Sequence, residues 1–268
     1  NSSSGRAQSY LIGPNGQPVY SGPINIAGKS YTLAPTAMGM SNDSQTHTMH
    51  GVSLKSNTLE TFDWELSASL YDYGKDQQRV PTVAMPAAVL GGTGTLQDQS
   101  GTDWNTLAAK GTWRQQGLQG AHIVDFGIGR DAYKLNINKY NVLGDWLSGP
   151  ANTQSVVSQV GGRSETRYLW AQDSWKITPK WKAVLGMRWE DWAASNGYTA
   201  SATSQLGYAK RSEEHLSPKA ALAYQLSSDT TLKASLGRAV RFPTVGELYG
   251  ATSGGALSFI NNPNLKPE

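Results

Sequence analysis

Five residues near the start of the chain have side chains that could ligate a metal. Met38, Met40, His47, Met49 and His50 hold three of the five methionines and two of the four histidines. Thioether and imidazole ligands together suit copper or another soft transition metal. On an extended strand His47 and Met49 share a face, and His50 points away. The expectation is a metal-binding rim at the mouth of a strand, against the plainer alternative of an incidental loop. Other chemistry finds less support. Gly28-Lys29-Ser30 ends like a phosphate loop, but the first glycine belongs at 23, which is Pro, and Gly22 is one position off. Gly91-Gly92-Thr93-Gly94 lacks a following Lys, and no Gly-x-Ser-x-Gly elbow occurs. Asp63/Glu65 and Glu190/Asp191 are formal acid pairs, yet charge on a wetted surface explains them as well. The residues point to no enzyme and no intrinsic cofactor.

Basic and aromatic residues give a second set. Arg114, Arg188 and Arg241, with Arg163, Arg167, Lys210 and Arg211, would attract an anionic ligand. Tyr140, Trp146 and Tyr249 could stack on its aromatic groups, or pack loops together. The candidate ligand residues are therefore Arg114, Arg188, Arg241, Tyr140, Trp146 and Tyr249.

The elements that must position these groups are strands. Period-2 alternation recurs along the chain. Phe62, Trp64, Leu66, Ala68 and Leu70 fall opposite Asp63, Glu65, Ser67 and Ser69. Ala183, Leu185, Met187 and Trp189 fall opposite Lys182, Arg188 and Glu190. Residues 219–226 and 231–237 repeat the pattern, while in 166–177 Tyr168/Trp170 and Leu169/Ala171/Trp175 are equally good faces. The pattern predicts eight strands, 44–56, 62–74, 104–116, 121–133, 163–176, 181–193, 212–226 and 230–240. Short turns near 56–59, 117–120, 178–180 and 227–229 alternate with long segments at 75–103, 134–162, 193–212 and 240–262. Residues 5–42 read as another long segment, with a hairpin flanked by Val19–Tyr20 and Ser30–Leu33.

Composition agrees. Charged residues are 16% and hydrophobic residues 38%, with 29 Gly, 9 Trp and 12 Tyr. That mixture is poor for a soluble enzyme core and suits a sheet with one lipid face and one wet face. No run of 18 apolar residues offers a membrane helix. The absence of Cys excludes disulfides and thiolate metal sites, and a net charge of +3 is too small to suggest nucleic acid. Lipid permits a sheet only if its backbone groups are bonded within the protein, which means a closed barrel. The expectation is an all-β, antiparallel transmembrane β-barrel segment, apolar side chains outward and Asp63, Glu65, Lys110, Arg114, Asp125, Arg188, Glu190, Lys219 and Lys233 inward. Trp104, Trp113, Trp175, Trp181, Trp189, Trp192 and Tyr133 would form its aromatic girdles. A soluble sandwich with a Trp-rich core is the competing fold.

Four stretches resemble the barrel of TonB-dependent outer-membrane receptors. They are Ala171-Gln172-Asp173-Ser174-Trp175 with Leu185-Gly186-Met187-Arg188-Trp189-Glu190, Leu216-Ser217-Pro218-Lys219 with Tyr224, Gly237-Arg238-Ala239-Val240-Arg241-Phe242-Pro243-Thr244 with Glu247-Leu248-Tyr249, and Asn262-Pro263-Asn264-Leu265-Lys266-Pro267-Glu268. The resemblance implies a plugged barrel of about 22 strands, of which residues 1–268 would be one part, the plug domain and final strands lying outside the chain. It further implies a Gram-negative outer-membrane location, contact with lipid, an energy-coupling partner (TonB) acting through the plug, and a small-molecule metal chelate as cargo, a ferric siderophore above all. The alternative is a self-contained passive pore or adhesin-like barrel.

Overall fold

The computed structural model describes residues 2–6, 9–34, 37–250, 252–254, 257–259 and 261–268. Eight long antiparallel strands form one sheet in sequence order: β1 (Met40–Lys55), β2 (Phe62–Pro81), β3 (Asp103–Trp113), β4 (His122–Val142), β5 (Ala151–Lys176), β6 (Trp181–Ser201), β7 (Arg211–Gln225) and β8 (Thr231–Gly237). Each wall strand pairs with its neighbour in the chain, an up-and-down meander. Residues 2–6 extend the sheet beyond β1, and β8 forms the other edge, so the described sheet does not close on itself. A second ribbon, Gly94–Asp98, lies above β3 and pairs with both β2 and β4 there. The hairpin expected before β1 is present, but its strands are Gly22–Ile26 and Lys29–Leu33 rather than Val19–Tyr20 and Ser30–Leu33.

The two faces separate as the alternation requires. Leu54, Leu66, Ile128, Leu169, Leu185 and Met187 are all half-exposed or more. In register these side chains make one outward band. In water such a surface would be an aggregation site; against acyl chains it is the favourable one. The opposite face carries Asp63, Lys110, Asp125, Arg188, Glu190 and Lys219, placed on one side by the same register. For 166–177 the register settles the ambiguity: Leu169, Ala171 and Trp175 face outward, Tyr168 and Trp170 inward. The outward apolar run on β2, Phe62 to Leu70, is nine residues, about 20–25 Å of membrane for a tilted strand.

Two expectations change. The segments 134–162 and 193–212 are not long loops: β4, β5 and β6 continue well past the apolar band, leaving connections only at 143–150 and 202–210. Beyond lipid both faces of a strand meet water, so the alternation that marks a spanning strand fades while the ladder goes on. The aromatic girdle also loses members. Trp113, Trp175 and Trp181 stand outward near the short-turn end. Trp104 stands between Tyr71 and Tyr133 on the inner face, in register with both, and Trp192 is 1% exposed in an inner cluster.

Candidate functional site

The inner wall has three tiers. At the short-turn end, Asp63 accepts hydrogen bonds from the Thr58 and Leu59 amides, the Ser56 and Thr58 hydroxyls and Arg114, whose Nη1 is 2.8 Å away. Arg114 also donates to the Glu60 carbonyl. Here the carboxylate organises the turn and the guanidinium locks it, so Arg114 is engaged at the short-turn end of the wall.

The middle tier is a recess of about 540 Å³ whose lining includes Lys110, Asp125, Trp170, Arg188, Glu190 and Lys219. Lys110 lies 3.3 Å from Asp125, and Arg188 Nε donates to Glu190 at 2.8 Å. The Arg188 guanidinium sits 3.8 Å from the centre of the Tyr168 ring, a cation–π contact. Tyr168 in turn lies flat on Gly129, where a Cβ would come within 2.4 Å of its ring. With Arg238 also on the lining, four cations face two acids across this recess. Residual positive charge beside the Trp170 indole can receive a planar or aromatic anion.

Above it the wall is aromatic. Tyr71 and Trp104 stack at 4.1 Å, and His47 stacks on Tyr73 at 4.0 Å. The His47 ring nitrogens lie 3.1 Å from the Tyr71 hydroxyl and 2.8 Å from Asp76. Tyr140, higher on β4, accepts from Gln159 Nε2 at 3.0 Å.

The segment after β8 folds back over this wall. A single helical turn, α1 (Val245–Tyr249), is capped by Thr244, whose hydroxyl accepts from the Glu247 amide while the Glu247 carboxylate accepts from the Thr244 amide. Arg241 pairs with Glu247 and steadies that box. Together the Thr244 amide and Arg241 hold the Glu247 carboxyl below the usual glutamate range. Val245, Leu248 and Tyr249 are buried against Leu135, Val160, Trp192 and Ala194. The Tyr249 ring fills a notch at a bulge in the β5–β6 ladder, where Asn196 has φ 53°. A Cβ on Gly197 would fall 2.3 Å from that ring, and one on Gly162 3.0 Å. Only glycine fits Gly197 with the tyrosine in place.

The six candidate ligand residues therefore do not converge. Arg188 lies in the recess and Arg241 at its upper margin in the α1 cap. Tyr140 stands on the rim, and Arg114 serves a turn. Trp146 and Tyr249, 3% and 2% exposed, are loop-packing residues rather than open stacking surfaces. Trp146 packs with Met40, Met85 and Ala88 and donates Nε1 to the Ala88 carbonyl at 3.0 Å. The Met/His set is also dispersed. Met40 is buried beside Trp146, with Met38 packed against that cluster, and His47 is seven residues further along an extended strand, roughly 20 Å. Met49 shares the inner face with His47 and is 71% exposed, while His50 pairs with Leu70 on the outward face. Among the described residues no cluster of three or more His, Cys, Asp or Glu could hold a metal. Sequence reasoning missed Tyr168 as the platform for Arg188. Its signal was Gly129, but the register linking them is known only from the sheet.

The family described as TonB dependent receptor-like, beta-barrel matches residues 2–268, and the chain belongs to it. No curated protein matches the chain at a significant level. Membership and geometry agree: this is an all-β wall of an outer-membrane receptor barrel, from a family of transporters that act with TonB. No helix among the described residues is long and apolar enough to cross a membrane, which is silent about strands.

Proposed function

We propose that this chain supplies barrel wall and ligand-facing surface to a receptor that imports an anionic ferric chelate of the siderophore type, a catecholate or hydroxycarboxylate. The reading rests on the middle-tier recess, where Lys110, Arg188, Lys219 and Arg238 outnumber Asp125 and Glu190 beside Trp170. In a recess partly shielded from water such charge raises the local concentration of an anion and steers its entry. The chain is one part of the full barrel, and a coupling protein acts through the plug domain of the whole receptor. The metal arrives inside the chelate as cargo, so the wall needs no metal ligands of its own.

The test is binding to the complete receptor in detergent, followed by tryptophan quenching. A ferric catecholate should bind saturably, and Arg188→Ala with Lys219→Ala should raise its Kd at least tenfold. A neutral ferric hydroxamate should be insensitive to the pair. Equal loss for the neutral chelate, or no saturable binding of any ferric chelate, would overturn the assignment and favour a passive pore.

A further inference from the structure

A second cavity, sharing no residue with the recess, lies at the long-connection end, between the segment that follows β2 and the 143–150 connection. It holds about 320 Å³. Met40, Ala88 and Trp146 form its buried floor, and Val89, Leu90 and Leu147 stand exposed at its lip, Leu90 at 91%. The walls are fixed by hydrogen bonds between the two segments. The Trp146 amide donates to the Gly92 carbonyl at 2.8 Å, and Trp146 Nε1 to the Ala88 carbonyl at 3.0 Å. The Gly149 amide closes the tip onto the Asp145 carbonyl at 2.7 Å. Into this apolar setting the loop puts one carboxylate, Asp145. Its Oδ2 accepts from Ser148 Oγ at 3.0 Å. Its Oδ1 is buried and has no hydrogen-bond partner among the described residues. Gly91 lets that oxygen come so close: φ there is 109°, and a Cβ would fall 2.8 Å from Oδ1. Arg79, the cation that tethers this loop, gives Nη1 to the Trp146 and Gly149 carbonyls at 3.2 and 2.7 Å and makes no ion pair with Asp145 among the described residues. Ser41 and Asn42 supply the remaining polar lining.

We infer that this cavity binds a small primary amine with an apolar body, its ammonium on Asp145 Oδ1 and its hydrocarbon against Val89, Leu90 and Leu147. A buried carboxylate oxygen without a donor is costly, and a cation removes that cost. The kind of cation follows from the lining. A guanidinium needs both carboxylate oxygens for its two parallel donors, and Ser148 already occupies one. A hard divalent ion needs about six oxygen ligands, and this lining is mostly hydrocarbon. An ammonium is a compact point charge that one oxygen can serve. The volume stands near the lower end of the roughly 300–1,000 Å³ of small-molecule pockets, and an apolar wall with one placed charge is their usual build. A bare ammonium ion would meet the carboxylate and leave the exposed leucines in water. An amine with a hydrocarbon body uses both.

The experiment titrates the complete receptor in lipid nanodiscs with 2-phenylethylamine and with 2-phenylethanol, the same body without the charge, at neutral pH. Saturation-transfer NMR reads binding, with empty nanodiscs subtracted. The amine should bind saturably and at least tenfold more tightly than the alcohol. Asp145→Asn, which keeps the shape and removes the charge, should bring the amine down to the level of the alcohol. Ser148→Ala keeps the charge and should keep the amine. Leu90→Ser, on the exposed lip where it disturbs no packing, should weaken the amine at least threefold, so a failure of Asp145→Asn to fold does not end the test. Heat-modified migration on a gel checks that each variant is folded. Equal binding of amine and alcohol, undiminished amine binding in folded Asp145→Asn or Leu90→Ser, or no saturable binding at all, as expected if water alone satisfies Oδ1, would overturn the inference.

Discussion

Replacing Tyr249 by alanine should release the α1 segment from the inner wall while leaving the barrel intact. The ring is 2% exposed and fills the notch over Gly162 and Gly197, so truncation removes a large buried group and leaves a cavity the stiff β5–β6 ladder cannot close. Aromatic-to-alanine changes at such sites cost about 3–5 kcal/mol. The loss falls on docking of the segment, because strand pairing does not depend on it. At the lower figure the undocked population rises roughly a hundredfold. Hydrogen exchange of the complete receptor reads this directly in the amides of residues 244–250, where Leu248 and Gly250 donate to the Thr244 and Gly246 carbonyls. The same peptides supply a sharper control. The Tyr249 hydroxyl is buried without a hydrogen-bond partner among the described residues. Tyr249→Phe should therefore leave protection unchanged or raise it, since an unsatisfied buried hydroxyl costs about 1–3 kcal/mol. Protection unaltered in Tyr249→Ala, or lost equally in Tyr249→Phe, would refute the packing argument.

Ile128→Arg, at mid-band on the outward face, should lower stability by about 2–4 kcal/mol, whereas Ser67→Lys on the inner face should change little; guanidinium unfolding of the complete receptor in phospholipid vesicles tests both. Asp63→Ala removes the shared acceptor of the β1–β2 turn and leaves Arg114 without its carboxylate, so it should depress the thermal midpoint more than Ser56→Ala or Thr58→Ala, each of which removes one donor. Glu247 has its folded pKa held below the ordinary value by the Thr244 amide and Arg241. Its contribution to docking is therefore complete above the usual glutamate range and is lost as pH falls through the lowered value. Exchange protection of 244–250, corrected for intrinsic rates, should be flat from neutral pH down to that range and then decline, and Glu247→Gln should abolish the pH dependence.

The wall was legible in the sequence wherever its two faces meet different media. Phe62 to Leu70 and Ala183 to Trp189 announce both strand and orientation because lipid lies on one side and water on the other. The same rule explains where reading stopped. Asn136, Asn138 and Lys139 show no apolar alternation, so the upper part of β4 looked like loop although its ladder with β5 continues to Val142, with register shifts between Asn152 and Ser158. Trp192 and Trp104 were assigned to the lipid boundary on residue type, since the chain alone does not say that α1 returns to cover one and Tyr71 stacks on the other. The binding candidates suffered most. Arginine and tyrosine are chosen alike for ligands, turns and packing, and only register separates Arg188 over Tyr168 from Arg114 in its turn and Tyr249 in its notch.

The length of β4, β5 and β6 has a consequence for how this surface can change. Beyond Ala132, Glu165 and Ala193, which stand level with the Leu70 end of the apolar band, these strands run on to Val142, back to Ala151 and on to Ser201, roughly 25–45 Å of ribbon at ~3.3 Å per residue. Residues 143–150 and 202–210 are thus tips carried on a tall, hydrogen-bonded stalk, insulated from the bilayer by many rungs of ladder. Sequence exchanged at those tips, by natural diversification under attack from phage or antibody or by deliberate grafting, would leave membrane insertion untouched. The stalk separates recognition from residence in lipid, and each can evolve on its own terms.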